Sequence, residues 1–206
     1  MAMYLRQFWA ATRLMLVLTV ILGLVYPLSV WAVSRLPGLR ANAEGSVVTV
    51  SGVAVGSDLI GTDLVPADPN HDPWFHTRPS ALAPDPLGPG EPSSSLGSNL
   101  AGDSEKLLKL ITDRRTAIAA REGVDPSAIP ADAVTASGSG LDPAISPAYA
   151  HLQVARVARE NGLSEQAVRG IVASTVTGRP LGVLGEPTVN VLDLNRAVVA
   201  AAPRGR

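Results

Sequence analysis

The sequence predicts an α+β domain tethered to a membrane by one N-terminal helix. Three observations carry that prediction. From Leu14 to Ser34 the chain runs twenty-one residues without a charge. About twenty apolar residues at 1.5 Å rise cross the roughly 30 Å hydrocarbon core of a bilayer. After the span, helical periodicity and short β-like segments alternate without a βαβ rhythm. Finally, the 206 residues are nearly neutral, with 17 basic and 18 acidic side chains and no cysteine.

The span divides the chain into a short cytoplasmic N-terminus (1–13), a transmembrane helix (14–34) and an extracytoplasmic domain (35–206). Arg6 and Arg13 precede it, and Arg35 and Arg40 follow it. Trp9, Tyr26 and Trp31 sit toward its edges, as interfacial aromatics do. The flanking arginines are balanced two against two, so only the amino terminus tips the start toward the cytoplasm. The competing reading is a signal peptide cut after Val30-Trp31-Ala32. An apolar stretch longer than the usual 7–15 residues of a signal core favours the anchor.

Beyond the span, Ser46-Val-Val-Thr-Val50 and Val53-Ala-Val55 flank Ser51-Gly52 and predict a β-hairpin. Residues 79–103 alternate prolines with Gly88, Gly90 and Ser93–Ser95, which leaves no room for a regular element. Ser104 caps a helix running to Arg121, with Leu107, Leu108, Ile111 and Ile118 on one stripe and Gly123 as its stop. Ser146-Pro147 opens a second helix that ends near Asn161-Gly162. Ser164 caps a third, with Leu163 and Val168 spaced as a staple. Thr188–Val191 reads as extended, and Leu194–Ala202 as a last helix.

Several function classes find no support in the residues. Lysine occurs only at 106 and 109 and aromatics are few, so there is no footprint for nucleic acid. No Walker loop and no Asp-Lys-Thr-Gly segment is present. Ser57, Ser98 and Ser139 follow glycines but lack a nucleophile elbow. His71, Asp72 and His76 lack a metal-binding spacing and are interrupted by Pro73, so no metal site is expected. A hydrolase with an unrecognised site is thereby disfavoured.

The remaining polar clusters are the candidates for contact. Thr135-Ala-Ser-Gly-Ser-Gly-Leu-Asp-Pro143 is either a nest of backbone N–H groups for an anion or an ordinary turn before a helix. On that helix, Tyr149, Gln153, Arg156 and Glu160 share one face, beside an apolar stripe of Ala150, Val154, Val157 and Ala158. The face reads as solvated, with Arg156 and Glu160 spaced for an exposed ion pair. The functional alternative has Gln153 and Arg156 reaching back to the Ser/Gly loop to shape one site.

Taken together, seven segments resemble the C subunits of the Kdp potassium-transporting P-type ATPases, across essentially the whole chain. They are Gly23–Leu28, Gly56–Gly61, Phe75–Ser80, Gly97–Leu100, Thr135–Pro143, Gln153–Ala158 and Val189–Asn195. Gly61-Thr-Asp-Leu64 departs from the family's Gly-Gln-x-Phe, and Leu96–Ala101 departs around its Gly-Ser-Asn core.

The resemblance implies a non-catalytic, single-pass subunit in the inner or plasma membrane. Its partners would be a potassium-channel-like subunit, a P-type ATPase subunit, a small peptide subunit and membrane lipid. Such subunits are described as assembly factors and catalytic chaperones that raise ATP affinity. The residues by themselves mark no cofactor; the resemblance implies ATP, bound directly or through the hydrolysing subunit, with potassium as the transported ion of the complex. The contact candidates it marks are Gly56, Ser57, Arg78, Pro79, Ser80, Gly97, Ser98, Asn99, Ser137, Gly138, Ser139, Gly140, Leu141, Asp142, Gln153 and Arg156. An extracytoplasmic domain would be separated from cytoplasmic ATP by the bilayer, so its effect on ATP affinity is expected to be allosteric. The alternative is a gating or binding module lying over the potassium entrance.

Overall fold

A computed structural model describes residues 1–203, so the last three residues of the predicted domain lie outside it. The chain forms two compact units, residues 1–47 and the remainder.

The first unit is a helix from Ala2 to Ser34, apolar and with none of its apolar window buried. It starts well before the expected span. At 1.5 Å per residue it is about 50 Å long, more than a bilayer's hydrocarbon core requires. The helix has three parts: α1 (Ala2–Val20), one π turn (Ile21–Val25) and α2 (Tyr26–Ser34). Within the π turn the Tyr26 N–H reaches back to the Ile21 carbonyl. Pro27 explains the interruption. It has no N–H for the Gly23 carbonyl, its ring would collide with that carbonyl, and a wider turn relieves the collision. The unit closes with α3 (Arg40–Ala43), where Glu44 pairs with Arg35 at 2.7 Å and with Arg40 at 3.2 Å.

The second unit is the mixed domain. Its hairpin, β1 (Val47–Val50) and β2 (Val53–Ser57), turns through Ser51 and Gly52 at φ 51° and 81°. Two consecutive left-handed residues make the type I′ turn that matches strand twist. The capped helices form where predicted: α4 (Glu105–Glu122), α6 (Pro147–Asn161) and α7 (Glu165–Thr175). Ser104, Ser146 and Ser164 each accept a backbone N–H three residues on, and Gly123 and Gly162 end the first two at φ 68° and 65°. Residues 79–103 contain no helix or strand.

Four details differ from expectation. Leu108 faces solvent, and Arg114 occupies the stripe with Leu107, Ile111 and Ile118. A short helix α5 (Ala131–Val134) precedes the Ser/Gly loop. Two-residue strands β3 (Ala144–Ile145) and β4 (Val176–Thr177) flank β5 (Thr188–Asn190) in an antiparallel sheet of order β3-β5-β4. Val191 is not extended. It begins α8 (Val191–Ala201), because the Asn190 side chain accepts the Leu192 and Asp193 N–H groups and starts the helix early.

The core lies between this sheet and helices α4, α6, α7 and α8, with Phe75 from the irregular segment inserted among them. Ile145 and Val176 both pair with Val189 on the central strand. Val189 is fully buried, as are Val154, Val168, Val172 and Leu194.

Candidate functional site

The Ser/Gly loop at 135–143 is where four parts of the chain cross. It first satisfies itself. Ser137 Oγ accepts the Gly140 N–H at 2.7 Å, Ser139 Oγ the Leu141 N–H at 3.1 Å, and Asp142 the Ala144 N–H at 3.0 Å. Short hydroxyl and carboxylate side chains stabilise turns in this way. It then bonds three extended segments through the backbone. The Gly61 N–H donates to Leu141 O at 2.8 Å and the Leu96 N–H to Ser139 O at 2.9 Å. In return, the Ser137 N–H donates to Pro79 O at 3.1 Å.

Two arginines strengthen the crossing. Arg78 reaches the Asp142 carboxylate at 3.3 Å and the carbonyls of Thr135 and Ala136. Arg114, from the apolar stripe of α4, donates to Val134 O and Ser80 O, and burial pulls its guanidinium below its ordinary value. The segments meet closely enough to require glycine. A Cβ on Gly61 would lie 2.5 Å from the Asp142 carbonyl oxygen, and one on Gly97 2.9 Å from the Gly138 oxygen. Beside the crossing, Arg78, Ser80 and Gly140 line a cavity of about 10 Å³, room for a single water.

Gln153 and Arg156 do not reach this loop. Their face of α6 is buried rather than solvated, and it grips residues 72–76 instead. Gln153 takes the His76 N–H on its oxygen at 2.8 Å and donates to His76 O at 3.3 Å. Asn195 of α8 holds Phe75 in the same two-point way, at 2.7 and 3.0 Å. Two side-chain amides thus replace the neighbouring strand that Phe75 and His76 lack.

Arg156 pairs with Glu122 rather than with Glu160, which is held by His71 and Arg159. It also donates to the carbonyls of Asp72 and Trp74 at 2.7 and 2.8 Å. His71 and His76 face different partners. The His76 ring lies between Asp63 at 3.0 Å and Asp72 at 2.6 Å. No grouping of three or more His, Asp or Glu side chains among the described residues is placed to hold a metal ion.

Burial pushes the Asp72 carboxyl up, but the His76 hydrogen bond and the nearby His76 and Arg156 charges outweigh it and hold it below its ordinary 3.8. A depressed acid adds stability above its unfolded value and loses it as pH falls through the folded one. Thermal unfolding from neutral pH to about pH 2 should therefore show Asp72→Asn less stable than wild type near neutrality, with the gap closing below pH 3.8. A gap independent of pH would exclude an ionised Asp72 as its source.

The remaining candidates separate. Gly56 packs on the Leu192 side chain, and Ser57 Oγ caps a turn by accepting the Leu59 and Ile60 N–H groups. Both residues line a cavity of about 230 Å³ with Gly61, Thr77, Pro143 and Asn195. Gly97 packs at the crossing, whereas Ser98 and Asn99 are exposed, Asn99 at a left-handed φ of 52°. Asp63, Glu122 and Asn195 are not among the contact candidates marked from the sequence, although Asn195 closes one of the family-like segments. Arg114 had a readable signal, a charged residue in register with an apolar stripe.

The arrangement supplies shape more than chemistry, since the Thr135, Ser137 and Ser139 hydroxyls and the Ser137, Gly140 and Leu141 amides all bond within the chain. The profile described as KdpC, K+-transporting ATPase, c chain, matches residues 8–200. The chain is 52% identical over 200 residues to a potassium-transporting ATPase KdpC subunit of Kineococcus radiotolerans, covering 97% of this chain and 96% of that protein. It is 43% identical to the subunit so named in Bradyrhizobium diazoefficiens (97% and 100% covered) and 46% identical to that of Sorangium cellulosum (93% and 96%). The chain therefore belongs to the KdpC family, the c chains of K+-transporting ATPases.

Proposed function

We propose that this chain is a non-catalytic accessory subunit of a potassium-transporting ATPase. It is anchored in the cell membrane by its N-terminal helix, with its mixed domain outside the cytoplasm. It stabilises the assembled pump and raises the ATP affinity of the hydrolysing subunit by favouring one of that subunit's conformational states. One observation carries this reading. The residues in the family-like segments weld four stretches of backbone into one rigid crossing, which suits a scaffold for partner contacts. The Ser137, Gly140 and Leu141 amides already bond within the chain, so a phosphate would have to displace those bonds. A nucleotide effect routed through the partner fits this better than a nucleotide held here.

The test uses the assembled pump, purified in mild detergent with and without this chain, the chain carrying Ser93→Cys in its exposed loop. The chain should lower the KM for ATP of potassium-stimulated hydrolysis by about 5–150-fold, the range of a typical coupling energy. In intact cells the cysteine should react with a membrane-impermeant maleimide. An unchanged KM removes the chaperone role, and labelling from the cytoplasmic side alone removes the extracytoplasmic placement.

A further inference from the structure

The π turn in the N-terminal helix leaves the backbone short of donors. In an α-helix each carbonyl accepts the N–H four residues on, and in a π turn the N–H five residues on. The Tyr26 N–H is taken by the Ile21 carbonyl, and Pro27 has no N–H. The Leu22 carbonyl therefore has neither donor. The Gly23 carbonyl loses Pro27 on the α spacing and is left with the Leu28 N–H, which Leu24 also claims.

Side chains do not make up the deficit. Among the described residues, the hydroxyls of the charge-free stretch serve other carbonyls: Thr19 that of Met15 at 2.8 Å, Ser29 that of Val25 at 2.7 Å and Ser34 that of Trp31 at 2.7 Å. Leu22 and Gly23 lie within two residues of the midpoint of Leu14–Ser34. At that depth hydrocarbon supplies neither water nor a donor, so an unpaired carbonyl is strongly unfavourable. The same turn is open from outside. A Cβ on Gly23 would meet nothing within 4 Å, so the helix's own packing does not call for glycine, a poor helix former. Gly23 shares its peptide unit with the Leu22 carbonyl, and the missing side chain makes a notch beside it. Leu22 and Tyr26, one turn apart, flank the notch at 61% and 63% exposure.

We propose that this notch receives a hydroxyl or carboxamide side chain from a transmembrane helix of another subunit of the same ATPase, which donates a hydrogen bond to the Leu22 carbonyl. The inference rests on the membrane anchoring and accessory role proposed above. The missing donor decides for protein over lipid: acyl chains have none, and headgroups lie half a bilayer away. Small residues that let a neighbour approach the backbone, and polar side chains that bond across helices, are how membrane helices associate.

A photoreactive benzoyl-phenylalanine at position 26 of the full chain, in the co-expressed pump, tests this. Illumination should give an adduct whose peptides identify a membrane helix of another pump subunit. Two variants address the carbonyl itself. Gly23→Leu fills the notch. Pro27→Ala returns an N–H for Gly23, lets the π turn close to α and frees the Tyr26 N–H for Leu22. Each should lower recovery of the partner subunits roughly tenfold, as loss of one interhelical hydrogen bond in a membrane does. The amount of chain in the membrane and the thermal unfolding of its mixed domain should stay unchanged. Adducts only with lipid, only with a second copy of this chain, or with nothing would overturn the proposal, as would unchanged recovery with either variant. Failure of the wild-type chain to recover any pump subunit would instead refute the accessory-subunit reading.

Discussion

Replacing Arg156 with alanine should lower the stability of the mixed domain by about 3–5 kcal/mol, the range for breaking a buried ion pair from one side. The side chain is 3% exposed. Its Nε meets both Glu122 carboxylate oxygens at 3.2 and 3.0 Å. Nη1 holds the carbonyls of Asp72 and Trp74, and Nη2 reaches Glu122 and Gln153. Truncation leaves the fully buried Glu122 with Arg121 as its cation and strips two buried carbonyls of their donors. For a domain of this size the midpoint of thermal unfolding should fall by roughly 10 °C or more. Circular dichroism of the full chain in detergent would read it. Arg156→Lys should recover only part of the loss, because an ammonium keeps the charge but not the planar fork. A shift of a degree or two for the alanine variant would show that the network is not holding residues 72–76 in place.

Gly61→Ala should rank next, at about 3 kcal/mol. The added methyl would lie 2.5, 2.7 and 2.8 Å from the Asp142 oxygen, the Asp142 carbonyl carbon and the Pro143 Cα. All three are backbone atoms and cannot swing aside. The segment around Gly61 must move off, and the Gly61 N–H bond to Leu141 O goes with it. Gly102→Ala, which meets nothing within 4 Å, is the matched control and should be near neutral. Equal effects at the two positions would mean that close approach is not why residue 61 is glycine.

The contrast between these sites shows what the sequence could carry. Helix boundaries were legible because their signals are local: Ser104, Ser146 and Ser164 bond three residues ahead, and Gly123 and Gly162 need only their own φ. Asn190 carried the same signal for α8, but the alternation of Thr188-Val-Asn-Val191 reads as a strand and masked it. The Ser/Gly loop was recognisable as a turn for the same local reason. What crosses it was not recognisable, because Gly61, Pro79 and Leu96 lie far from it along the chain. Arg156 misled most. Helical spacing offered Glu160 as its partner, but the partner present is Glu122, 34 residues away on another helix. Helical periodicity says which residues share a face. It does not say what that face meets, and a face of Tyr, Gln and Arg reads as polar until the irregular segment packs against it.

The proline-rich stretch has a consequence for chain length. Gly90 and Leu96 both rest on the Ser/Gly loop, while residues 91–95 between them are exposed and, among the described residues, bond to one another through Glu91, Ser93 and Ser94. The excursion leaves the loop and returns to it, so its two ends stay fixed whatever lies between. Closing a flexible loop costs only about 0.6 kcal/mol for each doubling of its length. The stretch can therefore grow or shrink outward at little energetic expense, whereas a single extra residue at position 61 or 79 would throw the crossing out of register. Residues 91–95 are thus where this domain can accept an inserted peptide.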